Sequence, residues 1–128
     1  MQKEIIFTEK APAVVGPYSQ GVKAGNLLFT AGQIALSPST GKMVTGSVAE
    51  ETEQVMQNLQ AVLQAAGTNF EHTVKATVLL GDMSYFAEMN QVYGKYMGDK
   101  PPARTTYQAG ALPLGAKVEI ELVVIVNG

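Results

Sequence analysis

Arg104 stands directly behind Pro101-Pro102-Ala103, and Glu119 stands inside the mostly aliphatic run Val118 to Val126. Proline fixes its own φ, so Arg104 leaves a constrained backbone and can be held in one direction. A planar guanidinium held in this way can grip a carboxylate through two parallel hydrogen bonds, which the point charge of a lysine cannot copy. A carboxylate drawn partly out of water, as Glu119 would be on an apolar strand, must find a cation or take up a proton. A structural ion pair between the two residues and a catalytic pair both fit this spacing.

Other chemistries lack material. The only histidine, His72, lies in the polar link "TNFEHT" and reads as a surface loop residue; without cysteine there is no thiolate, no disulfide and little from which to build a zinc site or a Ser-His-Asp triad. Gly16 and Gly21 have the spacing of a phosphate loop. Val22-Lys23 nevertheless stands where Lys-Ser/Thr must follow, so the phosphate and magnesium ligands are missing. Two short stretches could shape a pocket. "GPYSQG" offers Tyr18 beside the rigid Pro17, either as a turn into a hairpin or as a pocket wall. "TAGQI", Thr30 to Ile34, puts Gly32 inside a strand, which marks either a bulge or the close approach of another group.

The elements that would carry these residues follow from periodicity. Apolar positions from Ser47 to Ala66 recur every three or four residues, with Ser47 and Glu50 in capping-box spacing and Gly67 as a stop. A second helix is predicted over Tyr85–Met97, with Phe86, Met89, Val92, Tyr93 and Tyr96 as its core stripe and Gly98 and Pro101-Pro102 ending it. Strands are predicted at Ile5–Thr8, Gly21–Lys23, Leu27–Ala35, Val74–Leu80 and Val118–Val126, the second and third joined as a hairpin through Ala24-Gly25-Asn26. This order argues for an α+β fold, a mixed sheet with two helices on one face, in a single domain spanning residues 1–128. In the last strand, Val118, Ile120, Leu122, Val124 and Val126 share one face, while Glu119 and Glu121 share the other with Val123 and Ile125. Two helices cannot cover both faces, so the mixed face is expected to meet another subunit, with Glu119 near the boundary.

At 128 residues and 46% hydrophobic composition the chain can bury a real core. Nine basic residues against eleven acidic ones, a net charge of −2 and no Lys/Arg cluster disfavour a nucleic-acid surface. No apolar run approaches membrane-spanning length and the start lacks a signal-like apolar segment, so a cytoplasmic protein without membrane contact is expected.

The stretches "APAVVGPYSQGV", "FTAGQIAL", "QNLQAVLQAAG", "VKATVLLGDMSYFAEMNQVYGKYM", "PPARTT" and "LPLGAKVEIEL" together resemble the reactive intermediate deaminase family, RidA or YjgF type, over nearly the whole chain. The resemblance implies a fold like chorismate mutase of the Bacillus type: a homotrimer around a barrel core, with sites between subunits. It implies cofactor-free hydrolysis of short 2-imino acids, released by pyridoxal-phosphate enzymes, to 2-oxo acids and ammonia. On that resemblance Arg104 would hold the substrate carboxylate and Glu119 would activate water. Tyr18, Gly32 and Asn90 would line the pocket, with backbone at Gly32 and Thr106 touching the substrate. Many members carry Cys where this chain has Thr106. A non-catalytic module binding 2-oxo acids is the alternative from another class. A ribonuclease or translation inhibitor, also attached to relatives, is disfavoured by the acidic balance.

Overall fold

α1 (Val48–Ala65) forms where the apolar spacing predicts it in the computed structural model of the chain, which describes residues 1–127. The Ser47 hydroxyl accepts from the Glu50 amide at 3.1 Å and the Glu50 carboxylate accepts from the Ser47 amide at 3.2 Å, completing the capping box. Beyond the helix Gly67 takes φ +80°, the left-handed conformation that an L side chain resists. α2 (Phe86–Met97) likewise stops at Gly98, with φ +73°.

Six strands form one sheet: β1 (Lys3–Ile6), β2 (Gly21–Ala24), β3 (Leu27–Thr30), β4 (Thr73–Leu80), β5 (Ala103–Gln108) and β6 (Val118–Ile125), in the order β1-β2-β3-β6-β4-β5. Every neighbouring pair is antiparallel except β4 with β5. Because β6 lies antiparallel between β3 and β4, those two run parallel, and α1 is the crossover between them. α2 is the crossover from β4 to β5. Both crossovers step the same way along the sheet, and the shared handedness of such connections puts both helices on one face. The core lies there. Val118, Ile120, Leu122, Val124 and Val126 are all buried against Val55, Met56, Leu59, Val62, Leu63 and Met89.

The other face is open, as the split pattern of the last strand predicts. Register aligns Ile5, Val22, Phe29 and Val123 in one row across four strands, with Ile5 53% and Phe29 45% exposed. Lys75 on β4 continues this row beside Val123, Glu121 and Glu119 follow along β6 on the same face, and the Lys75 ammonium donates to the Thr105 hydroxyl at 2.8 Å.

Three strand expectations need correction. β1 covers Lys3–Ile6 rather than Ile5–Thr8, because the Gln20 side chain takes over at Thr8: it accepts from the Thr8 amide at 2.7 Å and donates to its carbonyl at 3.0 Å. β3 stops at Thr30 rather than Ala35. There the Thr30 hydroxyl replaces a main-chain partner by accepting from the Leu122 amide at 2.9 Å. β5 was not expected from periodicity, since "ARTTYQ" has no apolar alternation; it is the edge of the sheet, and most of its residues are exposed.

Candidate active site

The irregularity after β3 shapes the first part of the site. Phe29 pairs with Val123, and pairing resumes at Gln33 with Ile120, so three residues on one strand face two on the other. This is a bulge with one extra residue, pinned by Gln33 and Ile120 exchanging amide-to-carbonyl bonds of 2.9 and 3.1 Å. Gly32 sits in the bulge, and the Glu119 side chain lies across it so closely that a Cβ there would stand 2.1 Å from Glu119 Oε2. Both readings of the strand glycine therefore hold, with a carboxylate as the close neighbour.

Glu119 faces a cavity of about 560 Å³ walled by Val14, Val15, Tyr18, Gln20, Gly32, Ile34 and Leu114 among others. Buried Gln20 shapes one wall, its amide donating to the Pro12 carbonyl at 3.0 Å as well as to Thr8. Asn58 on α1 holds the next, donating to the Ile34 and Leu36 carbonyls at 3.1 and 2.9 Å. Burial pushes the Glu119 carboxyl above the usual glutamate range, and the charge of Glu121 adds to the shift. Among the described residues the only ion pair joins Lys117 to Glu51, at 3.3 Å, so no cation opposes it.

Arg104 belongs to a different surface. In the register of β5 on β4 it aligns with Ala76, and Ala76 aligns with Leu122, which places Arg104 on the helix face. Its Nη1 donates to Asn90 Oδ1 at 2.7 Å, and its guanidinium carbon lies 4.9 Å from the Tyr93 ring centroid and 5.4 Å from that of Phe86. No carboxylate pairs with it among the described residues. Thr106 follows two positions on, its buried hydroxyl without a hydrogen-bond partner, on the strand whose outer edge is open.

Tyr18, Gly32 and Glu119 thus share one cavity, while Arg104, Asn90 and Thr106 form a second cluster. The two meet nowhere within one chain. Glu119 aligns with Leu79 and Leu79 with Tyr107, on the open face, so Arg104 lies two strands away, three residues along and on the other side. Strand spacing and rise put the two Cα atoms about 14 Å apart. The intrachain Arg104–Glu119 ion pair that the spacing allowed is absent. Periodicity also missed what Phe86 and Tyr93 do: it read them as core, and nothing in a helical stripe signals that two of its rings lie beneath an arginine.

Residues 8–126 match the Endoribonuclease L-PSP family. The chain is 49% identical over 123 residues to Reactive Intermediate Deaminase A, chloroplastic, of Arabidopsis thaliana, covering 96% of this chain and 66% of that protein. It is 46% identical over 123 residues to the 2-iminobutanoate/2-iminopropanoate deaminase of Mus musculus, covering 96% and 91%. A crystal structure of E. coli TdcF with bound serine superposes with a TM-score of 0.90 at 34% identity, covering 97% of this chain and 99% of that one.

Proposed function

The chain belongs to the Endoribonuclease L-PSP family and matches deaminase relatives over 96% of its length, and from that premise we propose that it is an imine deaminase converting 2-imino acids to 2-oxo acids and ammonia. The observation that carries the reading is a pair of unmatched opposite charges: a partly buried carboxylate in a cavity and a guanidinium on an aromatic floor, neither with a counter-ion among the described residues.

Each charge suits one half of the substrate. Arg104 has five N–H donors and gives one to Asn90, leaving four for a carboxylate. Glu119, with its pKa raised, accepts a proton from water as the water oxygen bonds to the C=N carbon. That proton passes to nitrogen to give a carbinolamine; Glu119 then takes the proton of the new hydroxyl and hands it to nitrogen as well, so the C–N bond breaks as the C=O bond forms and ammonia leaves with both protons of the water. Protons and charge balance without a cofactor.

One chain cannot bring these halves together, so the site we propose lies between copies, Arg104, Asn90 and Thr106 from one and Glu119, Gly32 and Tyr18 from the next. The exposed row from Ile5 to Val123 supports this, since an uncovered apolar sheet face is uncommon on a monomer. Three copies closing their open faces around a central barrel is the assembly we favour. Serine in E. coli TdcF is consistent with a small ligand bearing a carboxylate.

The test is to generate 2-iminobutanoate with a dehydratase and to follow 2-oxobutanoate formation with and without this protein. Acceleration that disappears in Glu119→Gln supports the reading. A binding module would give no acceleration while still binding the oxo acid, and the ribonuclease reading would require RNA cleavage that the net charge of −2 does not favour.

A further inference from the structure

The three α2 residues that touch Arg104 are Phe86, Asn90 and Tyr93, spaced four and then three apart, so one helix face presents them together. Asn90 fixes a single nitrogen. A guanidinium held at one nitrogen can still swing about that bond, and the two rings below it restrict the swing. Tyr93 is 5% exposed, and its hydroxyl lies toward Arg104 without making a well-formed hydrogen bond. An unpartnered buried hydroxyl is a cost that phenylalanine would not carry, so the ring rather than the hydroxyl is what this position supplies. Burial raises the phenol pKa, with the charge of Arg104 and the nearness of its N–H donors to the phenol oxygen pulling the other way, so the phenol stays neutral and keeps its π face attractive to the cation.

We propose that Tyr93, assisted by Phe86, is a positioning residue that sets the plane of the Arg104 guanidinium and thereby sets how strongly the site prefers an anionic ligand to its neutral analogue. This rests on reading Arg104 as the carboxylate clamp. Neither ring touches the reacting atoms; each acts through Arg104.

The experiment compares competitive inhibition by 2-oxobutanoate and by 2-oxobutanamide, which differ in the carboxylate alone, in wild type and variants. Tyr93→Phe keeps the ring and is expected to keep the wild-type preference within about twofold. Tyr93→Leu is expected to lower it about tenfold, between an exposed and a desolvated cation–π contact expressed as a ratio, with KM rising more than kcat falls. Phe86→Leu, at a partly buried ring where folding is less at stake, is expected to lower it by a smaller factor. Met89→Ala removes a fully buried side chain of the same helix, so it measures what loss of core packing alone does. An unchanged preference in both leucine variants, or an equal loss in Met89→Ala, overturns the proposal. If Arg104→Lys leaves the preference untouched, the clamp itself fails and the role of Tyr93 falls with it.

Discussion

Replacing Gly32 by alanine separates the chemistry of the site from the stability of the fold. The new Cβ would meet Glu119 Oε2 at 2.1 Å, Cδ at 2.9 Å and Cγ at 3.1 Å. A carbon and an oxygen that are not bonded to each other need roughly 3.3 Å, so the carboxylate must retreat by about 1 Å. The retreat is mild for the fold because the obstacle is the end of a flexible side chain, and an off-rotamer adjustment costs about 0.5–1.5 kcal/mol. Gly32 is not among the glycines with positive φ, so alanine fits the backbone and recovers about 0.4–1 kcal/mol by restricting the unfolded chain. Stability should therefore change by no more than about 1 kcal/mol. Turnover should respond differently, since a misplacement of about 1 Å can cost on the order of 10²-fold. The assay pairs thermal denaturation with kcat/KM on 2-iminobutanoate, with Gly94→Ala as its control. A Cβ at Gly94 meets nothing within 4 Å, so that change should add about 0.5–1 kcal/mol of helix stability and leave turnover alone. Wild-type turnover in a folded Gly32→Ala protein would refute the placement of Glu119 as the base.

Glu119→Gln should fold and assemble normally yet lose most imine hydrolysis, because the amide cannot accept the proton of water. The acid limb of the wild-type pH–rate profile should lie above the ordinary glutamate range. It should move to lower pH in Glu121→Gln, since removing the neighbouring negative charge lowers the raised pKa of Glu119; a limb that stays put would mean another group titrates. Arg104→Lys keeps the charge but loses the planar fork, and should weaken binding and orientation by about 1–3 kcal/mol, read as kcat/KM on the imino acid. Phe29→Glu places a charge in the exposed apolar row and should yield monomers in sedimentation, with turnover lost alongside assembly; a folded monomer with full activity would place the whole site in one chain.

What the sequence made legible follows the strength of the physical signal. α1 could be read to its cap because periodicity, the Ser47–Glu50 box and Gly67 all point the same way. The two faces of β6 could be read because strand alternation is strict, and every residue assigned to the helix side is buried. Side-chain substitutions for main-chain bonds left no such trace. Gln20 ends β1 and the Thr30 hydroxyl ends β3, and in the sequence each is one polar residue among others. β5 escaped because an exposed edge strand has no apolar face to reveal its period. The candidate site residues could be picked out by type, but their distribution over two faces could not. It depends on β6 lying between β3 and β4, a long-range pairing that no local pattern encodes.

That distribution also governs how the two charges influence each other in the proposed assembly. Within a chain Glu119 feels burial and Glu121, both of which raise its pKa, and no cation restrains it among the described residues. An Arg104 from a neighbouring copy would lower the pKa while the site is empty, in proportion to its nearness. A bound substrate changes that balance, because its carboxylate neutralises the guanidinium and displaces water from the cavity. Both effects raise the Glu119 pKa again. The carboxylate therefore becomes a stronger base when the clamp is occupied, at the moment a proton must be taken from water. An arginine fixed as the permanent partner of Glu119 would hold the carboxylate weakly basic throughout. On opposite faces of one chain the two can meet only across a subunit boundary, where in the proposed site the anionic substrate would stand between them.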